Sequence, residues 1–563
     1  MDPANHWLLL IVALPVAVGL GLVIVELALS SLGLRSLPEA AWRGIGLIAA
    51  LADLAMVVVL VPAFDAERTE LQSVEVMPWV GSMGARLLLG VDGISLCFLL
   101  VTATVVPLSM LASRRETEGS IRVWVFACLL LESSLLGALV AANLLVFTFF
   151  WALGLAPILL WMGRWGGLGR ARAASRVWTT EAASLAGLLF VAFVLRELGI
   201  EQLGTATLDL LPGPEESGAL LDLRIPRATQ WILFLVMVAA LASRLPLAPL
   251  HFWLPAAHAA SPTGLSMLIA TGFTQTAAVG LFRFALPLFP DAAAQAGPAL
   301  SALGIAALLY ASLIALVQKE LKRLIAYASI GYAGFAVFGI ATLTAQGMTG
   351  AVVQLLTHGL ASAGLFLLVG FLERRRETTE VAAFGGLVKP MPVCAFFFGF
   401  MVLSLMGLPM LGGFVGDLFV LLGSLDTRRE LSVFALIAMV VAASYLFWVQ
   451  RRLFLGPVDE PANRGLIDLD RMERVLVLVL AIPLLWIGIY PNPVLRRVEP
   501  AVLEVLHHMD RRLEQIEIPD AEGDTEMVRA GSSSDVKGLL ARVVGLRLAD
   551  PDSGTESAGE EEP

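Results

Sequence analysis

The chain has 563 residues and a formal net charge of −10 at pH 7; 58% of its residues are hydrophobic, 15% are charged, and the mean hydropathy is +0.81. A soluble domain could not keep so apolar a surface in water. Apolar runs of about 20 residues, the length that crosses a bilayer, recur from end to end. The composition therefore excludes a soluble protein and predicts an all-α polytopic membrane protein.

The hydropathy pattern predicts about 14 transmembrane helices, and every span must be helical because lipid offers no partner for an unpaired backbone group. The N-terminus, MDPANH, has no basic region, so we expect the first apolar run to be a span rather than a cleaved signal. We expect spans at 7–30, 42–63, 93–113, 121–141, 143–162, 176–195, 228–245, 262–287, 298–317, 324–344, 348–373, 391–425, 431–450 and 474–491.

The loops that follow odd-numbered spans are basic and those that follow even-numbered spans are acidic or neutral, except that Arg428 and Arg429 follow span 12. By the positive-inside rule, both termini face the outside, which is the periplasm in a bacterium. We therefore expect a multi-pass protein of the bacterial inner (plasma) membrane. The basic loops contain Arg114, Arg115, Arg122, Arg164, Arg170, Arg172, Arg176, Lys319, Lys322, Arg323, Arg374, Arg375, Arg376, Arg451 and Arg452.

Two of the predicted spans are interrupted by proline. The first interruption lies at 242–264, with Pro246 and Pro249, and the second lies at 405–419, with Pro409 and several glycines. An interior proline removes a backbone hydrogen bond and interrupts a helix. Paired interruptions in the two halves of a transporter indicate inverted repeats with the ion path at the breaks, although proline and glycine are also common in membrane helices.

The end of the chain differs from the rest. From Asp510 to Pro563, fourteen residues are acidic and six are basic, so most of the net negative charge lies there. The segment ends in the low-complexity run DSGTESAGEEEP, which is typical of a disordered, solvated tail. Residues 536–548 have the pattern of a short amphipathic helix that lies on a partner or on the membrane surface.

The three cysteines, Cys97, Cys128 and Cys394, each lie in an apolar run and form no CxxC pair. We therefore expect neither a disulfide nor a metal site from them. The sequence also contains no Walker motif, no GxGxxG and no iron–sulfur spacing. We expect this chain to carry no redox cofactor, metal or nucleotide of its own.

Seven runs of the chain are distinctive: RLPLAPLHFWLPAAHAASPT (244–263), TAAVGLFRFALPLFP (276–290), ELKRLIAYASIGYAGF (320–335), QLLTHGLASAGLFLLVGFLERR (354–375), GLPMLGGFVGDLFVLLGS (407–424), LGVDGISL (89–96) and FFWALGLAPILLW (149–161). Over about residues 85–490, the chain resembles the antiporter-like subunits of respiratory complex I, the NADH–quinone oxidoreductase. That wider family includes Mrp-type cation/proton antiporters and membrane hydrogenases. Asp417 in FVGD and the sequence around Lys322 favour the M type of complex I.

The resemblance implies a fold of about 14 helices with two inverted five-helix repeats, at about spans 4–8 and 9–13, in which spans 7 and 12 are broken. The expected domains are helices 1–3 at 1–120, a first antiporter-like repeat at 121–290, a second repeat at 291–455, the last helix with its flanks at 456–509, and the acidic tail at 510–563.

The resemblance also implies a proton path along the membrane midplane, through a glutamate on span 5, lysines on spans 7 and 8, histidines, and a charged residue on span 12. Where the family has the glutamate, after Trp151, this chain has Ala152. The two lysines match Arg244 and Gln275, and the charged residue matches Asp417. The histidines match His251, His258 and His358.

All the departures from the family pattern lie in the N-terminal repeat. Arginine keeps its proton at physiological pH, so Arg244 holds a charge but is a poor relay, and its burial is costly without a carboxylate. Two candidates for that carboxylate lie in apolar runs, Glu132 on span 4 and Glu181 on span 6. We predict that one of them comes within about 4 Å of the Arg244 guanidinium. Asp53, on span 2, is a further buried charge with no family role.

The remaining candidates admit structural as well as functional interpretations. Lys322 begins span 10, where it suits either a proton relay or an interfacial anchor. His251 and His258 flank the first break, where packing and hydrogen bonding also explain them. His358 lies inside an apolar helix and Asp417 lies beside the second break, which favours a place on the path for both.

We therefore expect a membrane-arm subunit of a proton-pumping NADH–quinone oxidoreductase that works beside the L- and N-type chains in the lipid bilayer, with no nucleic acid. NADH, FMN, iron–sulfur clusters and quinone are expected in partner subunits, so enzyme activity belongs to the assembly. The N-terminal half-channel is either rewired through Glu132 or Glu181, or shut. The alternatives are a subunit of a Mrp-like antiporter or hydrogenase-linked complex, and a structural spacer that has lost transport.

Overall fold

The computed structural model describes residues 6–83, 85–116, 121–212, 218–458 and 461–517. Within these residues, twelve helices are long and apolar enough to cross a membrane. Two shorter apolar helices, Arg227–Leu241 and Pro392–Leu405, begin the two spans that were predicted to be interrupted. The prediction of an all-α polytopic membrane protein is confirmed; the count of about 14 crossings, the inverted repeats and the domain boundaries stay predictions.

The helices are α1 (Trp7–Ser31), α2 (Glu39–Ala63), α3 (Gly93–Ala112), α4 (Ile121–Val140), α5 (Leu144–Leu153), α6 (Leu155–Trp165), α7 (Arg170–Leu203), α8 (Arg227–Leu241), α9 (Leu254–Ala260), α10 (Thr263–Leu268), α11 (Thr274–Gly280), α12 (Leu286–Leu288), α13 (Pro290–Leu316), α14 (Leu321–Ile340), α15 (Ala345–Arg376), α16 (Pro392–Leu405), α17 (Gly412–Thr427), α18 (Arg429–Phe454), α19 (Pro461–Arg464), α20 (Arg471–Ile489) and α21 (Asn492–Glu517). Two π-helical segments, Ile269–Phe273 and Leu281–Ala285, join α10, α11 and α12 into one continuous span. An antiparallel hairpin of β1 (Gln72–Val80) and β2 (Ala85–Val91) separates α2 from α3.

Polar side chains at the helix starts explain where several spans begin. Asp92 accepts the Ser95 backbone N–H at 2.7 Å, while the Ser95 hydroxyl accepts the Asp92 N–H, and this capping box starts α3. Asn143 caps α5 and Thr344 caps α15 by accepting backbone N–H groups of the first turn. The Asp92 carboxylate also accepts a hydrogen bond from Arg283 at 2.5 Å, which fixes α3 to the span that contains α11 and α12.

The first predicted break lies between α8 and α9. α8 ends at Leu241, and α9 begins only at Leu254, after turns and a short 3-10 segment. Pro246 and Pro249 lie in this interval and cannot donate backbone hydrogen bonds, so the helix cannot continue through them. The prediction of a break in span 7 is confirmed.

The second predicted break lies between α16 and α17. α16 ends at Leu405, and Gly407 and Met410 then adopt left-handed backbone conformations with φ of 71° and 73°. A right-handed helix cannot contain such residues, so the new helix begins at Gly412. The prediction of a break in span 12 is confirmed, and at both breaks turns replace the regular hydrogen bonds of the helix.

The bundle is organised around α15. Its apolar part is fully buried, as is that of the span at Thr263–Leu288, and α15 packs against α3, α14, α16, α17 and α20. The helices α1, α2, α18 and α20 are peripheral and expose apolar side chains, among them Ile48 and Val440. A continuous apolar exterior of this kind matches a lipid environment.

The sequence analysis predicted neither the β1–β2 hairpin nor the helix α21. α21 packs across the ends of α3, α12, α13 and α15, and Arg512 on it donates hydrogen bonds to the carbonyls of Pro287, Leu288 and Leu223. Residues 510–517, predicted to start a disordered tail, continue α21 instead, because the helix is held against the bundle. The rest of the predicted tail and the predicted amphipathic helix at 536–548 lie outside the described residues.

α21 approaches α3 closely at Gly93, since a Cβ atom at Gly93 would overlap the Arg497 carbonyl. We expect Gly93→Ala to lower the free energy of unfolding by about 1–3 kcal/mol through overpacking, although alanine is the better helix former. Denaturant titration of the purified chain measures this change, and trypsin cleavage at the arginines of α21 should become faster. Gly163→Ala is the control, because its Cβ would meet no neighbouring atom; equal stability of the two variants would contradict the prediction.

Candidate functional site

Arg244 forms a buried ion pair with Glu181. Arg244 Nε lies 2.8 Å from Glu181 Oε2, and both side chains are 1% exposed. Ser243 Oγ lies 3.4 Å from the other carboxylate oxygen. The prediction that Glu132 or Glu181 neutralises Arg244 is confirmed, and Glu181 on α7 is the partner.

The Arg244 guanidinium is also held by aromatic rings. Its carbon lies 3.8 Å from the centroid of the Trp151 ring and 4.4 Å from that of Phe273, within the range of cation–π attraction. Its Nη2 donates a hydrogen bond of 2.7 Å to the Trp151 carbonyl. The ion pair, the rings and this hydrogen bond together fix the guanidinium in one position beside Ala152.

Gln275, which replaces the second lysine, is a neutral polar link in the middle of the bundle. Its Oε1 accepts a 2.9 Å hydrogen bond from the Thr102 hydroxyl on α3. Its Nε2 packs against Gly359 of α15, since a Cβ atom added at Gly359 would lie 3.3 Å from it. Nε2 has no hydrogen-bond partner in the part of the chain that the structure describes. Gln275 therefore connects α3 and α11 to α15 without carrying a charge.

Glu132 is not the partner of Arg244 and lies instead near Asp53 of α2. Both carboxyl groups are fully buried, and the two interact electrostatically. None of their oxygens has a hydrogen-bond partner among the described residues. Two adjacent buried carboxylates without a counter-charge are costly, which favours a proton on this Asp53–Glu132 pair.

Lys322 is buried at the start of α14 and is not an exposed anchor at the membrane surface. It is 4% exposed; its Nζ lies 2.7 Å from Glu373 Oε2 and donates a 3.0 Å hydrogen bond to the Ser261 carbonyl. Glu373 lies near the C-terminal end of α15 and is partly exposed beside the arginines of the last turn. The ion pair therefore leads from the arginine-rich end of the bundle into its interior.

Glu116, in the loop after α3, completes this group. Its carboxylate accepts hydrogen bonds from the Thr263 N–H at 2.9 Å and the Thr263 hydroxyl at 2.7 Å. Burial raises the pKa of the Glu116 carboxyl, while these hydrogen bonds and the charge of Lys322 oppose the rise. We call Lys322, Glu373 and Glu116 the inlet cluster.

Asp417 lies against the second helix break. Its carboxylate is so close to Gly407 that a Cβ atom there would collide with it, and neither oxygen has a hydrogen-bond partner in the described part of the chain. Tyr332 interacts electrostatically with Asp417 and donates a hydrogen bond to the carbonyl of Leu405, where α16 ends. A buried carboxyl group without a hydrogen-bond partner among the described residues is suited to taking up and releasing a proton.

His358 connects Asp417 to the centre of α15 through Tyr332. The rings of His358 and Tyr332 are 5.0 Å apart between centroids, and His358 Nε2 lies 3.0 Å from the Ser362 hydroxyl. His358 is 3% exposed, and its Nδ1 has no partner among the residues described. We call Asp417, Tyr332 and His358 the break cluster.

The two histidines of the first break are separated from each other. His258 stacks on Phe366 with ring centroids 4.3 Å apart, close enough to Lys322 for their charges to interact. His251 packs edge-on against Tyr310, which is 42% exposed on the outside of the bundle. His258 therefore lies beside the inlet cluster, whereas His251 lies toward the periphery.

The nine residues predicted from the sequence thus fall into separate groups, and three further residues join them. Tyr332, Glu373 and Glu116 were missed, although Tyr332 and Glu373 lie inside the runs ELKRLIAYASIGYAGF and QLLTHGLASAGLFLLVGFLERR. The charge of Glu373 and the hydroxyl of Tyr332, each within an apolar run, could have identified them as candidate site residues. The roles of these residues in proton transfer stay predictions.

Comparison with known proteins gives one family. Residues 141–445 match the family described as NADH:quinone oxidoreductase/Mrp antiporter, TM. The chain is 33% identical over 472 residues to NADH-quinone oxidoreductase subunit M of Rhodobacter capsulatus, covering 83% of this chain and 91% of that protein. It is 34% identical over 432 residues to subunit M of Pseudomonas aeruginosa, covering 74% and 81%.

Solved structures give the same fold. A chain of respiratory complex I from Thermus thermophilus with bound NADH superposes with a TM-score of 0.76 at 30% identity, covering 89% of this chain and 99% of that one. A chain of the Mrp complex from Dietzia superposes with a TM-score of 0.74 at 17% identity, covering 90% and 100%. The second likeness is one of fold alone.

The Arg244–Glu181 pair can be tested by removing one or both charges. We expect Glu181→Gln to lower the free energy of unfolding by about 3–5 kcal/mol, because it leaves a buried guanidinium unpaired. The double change Glu181→Leu with Arg244→Met removes both charges and should cost much less. Titration of the purified chain with denaturing detergent measures both.

Glu197→Gln on the same helix is the matched control, since Glu197 pairs with Arg196 at a partly exposed position. We expect it to change stability by about 1 kcal/mol or less. A double variant as unstable as Glu181→Gln would contradict the assignment of a neutralising pair.

Proposed function

We propose that this chain, which belongs to the NADH:quinone oxidoreductase/Mrp antiporter family, is the M-type membrane-arm subunit of a proton-pumping NADH–quinone oxidoreductase. Its relatives carry the name of that subunit, and they match most of its length. As a multi-pass membrane subunit of a respiratory complex, it takes part in proton translocation coupled to electron transfer. The coupling requires groups in this chain that gain and lose protons.

We assign its immediate partners as the L- and N-type antiporter-like chains of the membrane arm, and its location as the bacterial inner membrane with both termini in the periplasm. The orientation rests on the arginine-rich loops. NADH, FMN, iron–sulfur clusters and quinone belong in this proposal to partner subunits. The contribution of this chain is therefore proton transfer and not redox chemistry.

In the C-terminal half, protons enter at the inlet cluster and reach the break cluster. A lysine buried beside a carboxylate can release its proton when that carboxylate is neutralised. His358 and Tyr332 bridge toward Asp417, which lies at the break between α16 and α17. The observation that carries the proposal is that Asp417 is a buried carboxyl without a counter-charge among the described residues.

In the N-terminal half, Arg244 does not relay protons. Arginine cannot release its proton at physiological pH, and Glu181 and the rings hold the guanidinium in place. Of the two carboxylates predicted for a rewired half-channel, Glu181 is engaged in the ion pair with Arg244. The remaining candidate is Glu132 with Asp53, so a rewired path would pass through α2 and α4.

A structural spacer is the second candidate function, and one observation favours it. The family's ionisable positions on spans 5, 7 and 8 are Ala152, Arg244 and Gln275 here, none of which exchanges a proton. This loss is confined to the N-terminal half. The two candidates differ in whether Asp417 and Lys322 are needed for proton export.

Asp417→Asn is the first test, since asparagine keeps the shape of the carboxyl group but cannot ionise. In the whole complex reconstituted into vesicles, we expect proton export per NADH oxidised to fall by roughly tenfold or more. Asp426→Asn, at an exposed position on the same helix α17, should leave export unchanged. Unchanged export in Asp417→Asn with normal assembly would instead identify a spacer.

Lys322→Arg separates a relay from an ion-pair role. The guanidinium keeps the charge that neutralises Glu373 but does not release its proton, so we expect the complex to assemble and proton export to be lost. Lys319→Arg, three residues earlier and exposed, is the matched control. Normal export in Lys322→Arg would show that only the positive charge is required.

A further inference from the structure

A cavity of about 410 Å³ lies between α2, the end of α3 and the start of α4. It opens at the end of the bundle where the arginine-rich loops lie, far along α2 from the Asp53–Glu132 pair. Arg43, Arg114, Glu39 and Trp124 are among its lining residues. It belongs to neither the inlet cluster nor the break cluster, and the proton-transfer proposal does not use it.

The cavity has an excess of positive charge. Neither Arg43 nor Arg114 forms an ion pair with a residue that the structure describes, and Glu39 is the acid that shares the lining with them. By contrast, the nearby Arg122 is neutralised by Glu26 at 3.0 Å. Two unpaired guanidinium groups on one cavity form a site for an anion, and their planar forks match phosphate oxygens.

Buried donors without acceptors point the same way. Trp124 is 2% exposed and packs edge-on against Trp161, yet within the described residues its Nε1 has no hydrogen-bond acceptor. The buried Nε of Arg43 also lacks an acceptor there. Buried donors are normally paired, and an unpaired one carries a desolvation cost. Both residues line the cavity, so its wall contains polar donors that have no acceptor among the described residues.

An apolar stripe runs from the cavity down the outside of α2. Gly44 and Leu47 line the cavity, and Ile48 and Leu51, one turn further along, are 66% and 46% exposed. A Cβ atom at Gly44 would meet no neighbouring atom, so the surface there is open. This spacing places a continuous apolar track on one face of the helix, as an acyl chain requires.

We propose that this cavity binds the phosphate headgroup of an anionic phospholipid, with Arg43 and Arg114 on the phosphate and one acyl chain along the stripe of α2. Basic pockets between membrane helices are suited to such headgroups. The stripe favours a lipid over free phosphate, because only a lipid covers both the charged cavity and the exposed apolar side chains.

The test uses the full chain purified in mild detergent, stripped of lipid and titrated with phosphatidylglycerol while native mass spectrometry counts the bound lipid. We expect one phosphatidylglycerol to bind at least tenfold more tightly than phosphatidylcholine. The paired change Arg43→Gln with Arg114→Gln should weaken that binding at least tenfold. Gly44→Trp fills the cavity without a backbone clash and should remove the tight site altogether.

Two matched controls lie at the same end of the bundle. Arg172→Gln removes an exposed arginine at the start of α7, and Gly163→Trp adds a tryptophan on α6 where a Cβ also meets no neighbour. Both should keep the tight phosphatidylglycerol. Gly44→Trp fills the cavity but leaves every charge in place, whereas the arginine variants remove charge but leave the cavity open. Together they separate the contribution of the cavity's space from that of its charge.

Three results would overturn the proposal. Equal retention of phosphatidylglycerol by all variants would place the lipid elsewhere. Displacement of the lipid by inorganic phosphate at equal concentration would make the cavity a free-phosphate site. Chemical cross-links from Gly44→Cys to a neighbouring subunit in the intact complex, with no lipid retained, would assign the cavity to a protein partner.

Discussion

A charge buried among apolar helices raises the free energy of the fold unless an opposite charge or a proton neutralises it. This constraint accounts for the polar interior of the molecule. Arg244 is neutralised by Glu181 at 2.8 Å, and Lys322 by Glu373 at 2.7 Å. Asp417, like Asp53 and Glu132, has no such partner in the described part of the chain, so the charge of these three carboxyl groups depends on a proton.

The two halves meet this constraint in different ways. Relative to the family pattern, the N-terminal half replaces a glutamate and lysine pair on spans 5 and 7 with Glu181 on α7 and Arg244. The charges still cancel, but the cation no longer exchanges its proton, and the rings of Trp151 and Phe273 hold it. The pair therefore neutralises the buried charge without providing a cation that releases its proton at physiological pH. The C-terminal half keeps a lysine, a histidine and a free carboxyl group.

The sequence was sufficient where the physical signal was local. Runs of apolar residues located the spans, and Pro246, Pro249 and Pro409 located the breaks, because an interior proline removes a backbone hydrogen bond and interrupts a helix. The need for a carboxylate beside Arg244 was also predictable from the cost of burial, but the choice of Glu181 over Glu132 was not. That choice depends on how α4 and α7 pack around Trp151, which no spacing along the chain encodes. For the same reason the sequence did not reveal that Lys322 on α14 forms an ion pair with Glu373 on α15. Nor did it reveal that α21 packs against α3 at Gly93.

α15 belongs to the C-terminal half but packs against helices of both halves, and this limits how they communicate. Its Gly359 approaches Gln275, and the adjacent His358 faces Tyr332 and, through it, Asp417. Gln275 is neutral, and its amide neither binds nor releases a proton at physiological pH. Any influence of one half on the other at this point must therefore pass through hydrogen bonding or a shift of α15 itself. Such a shift is costly along a fully buried, closely packed helix, which makes the packing of α15 against Gln275 as important as the titrating groups on either side.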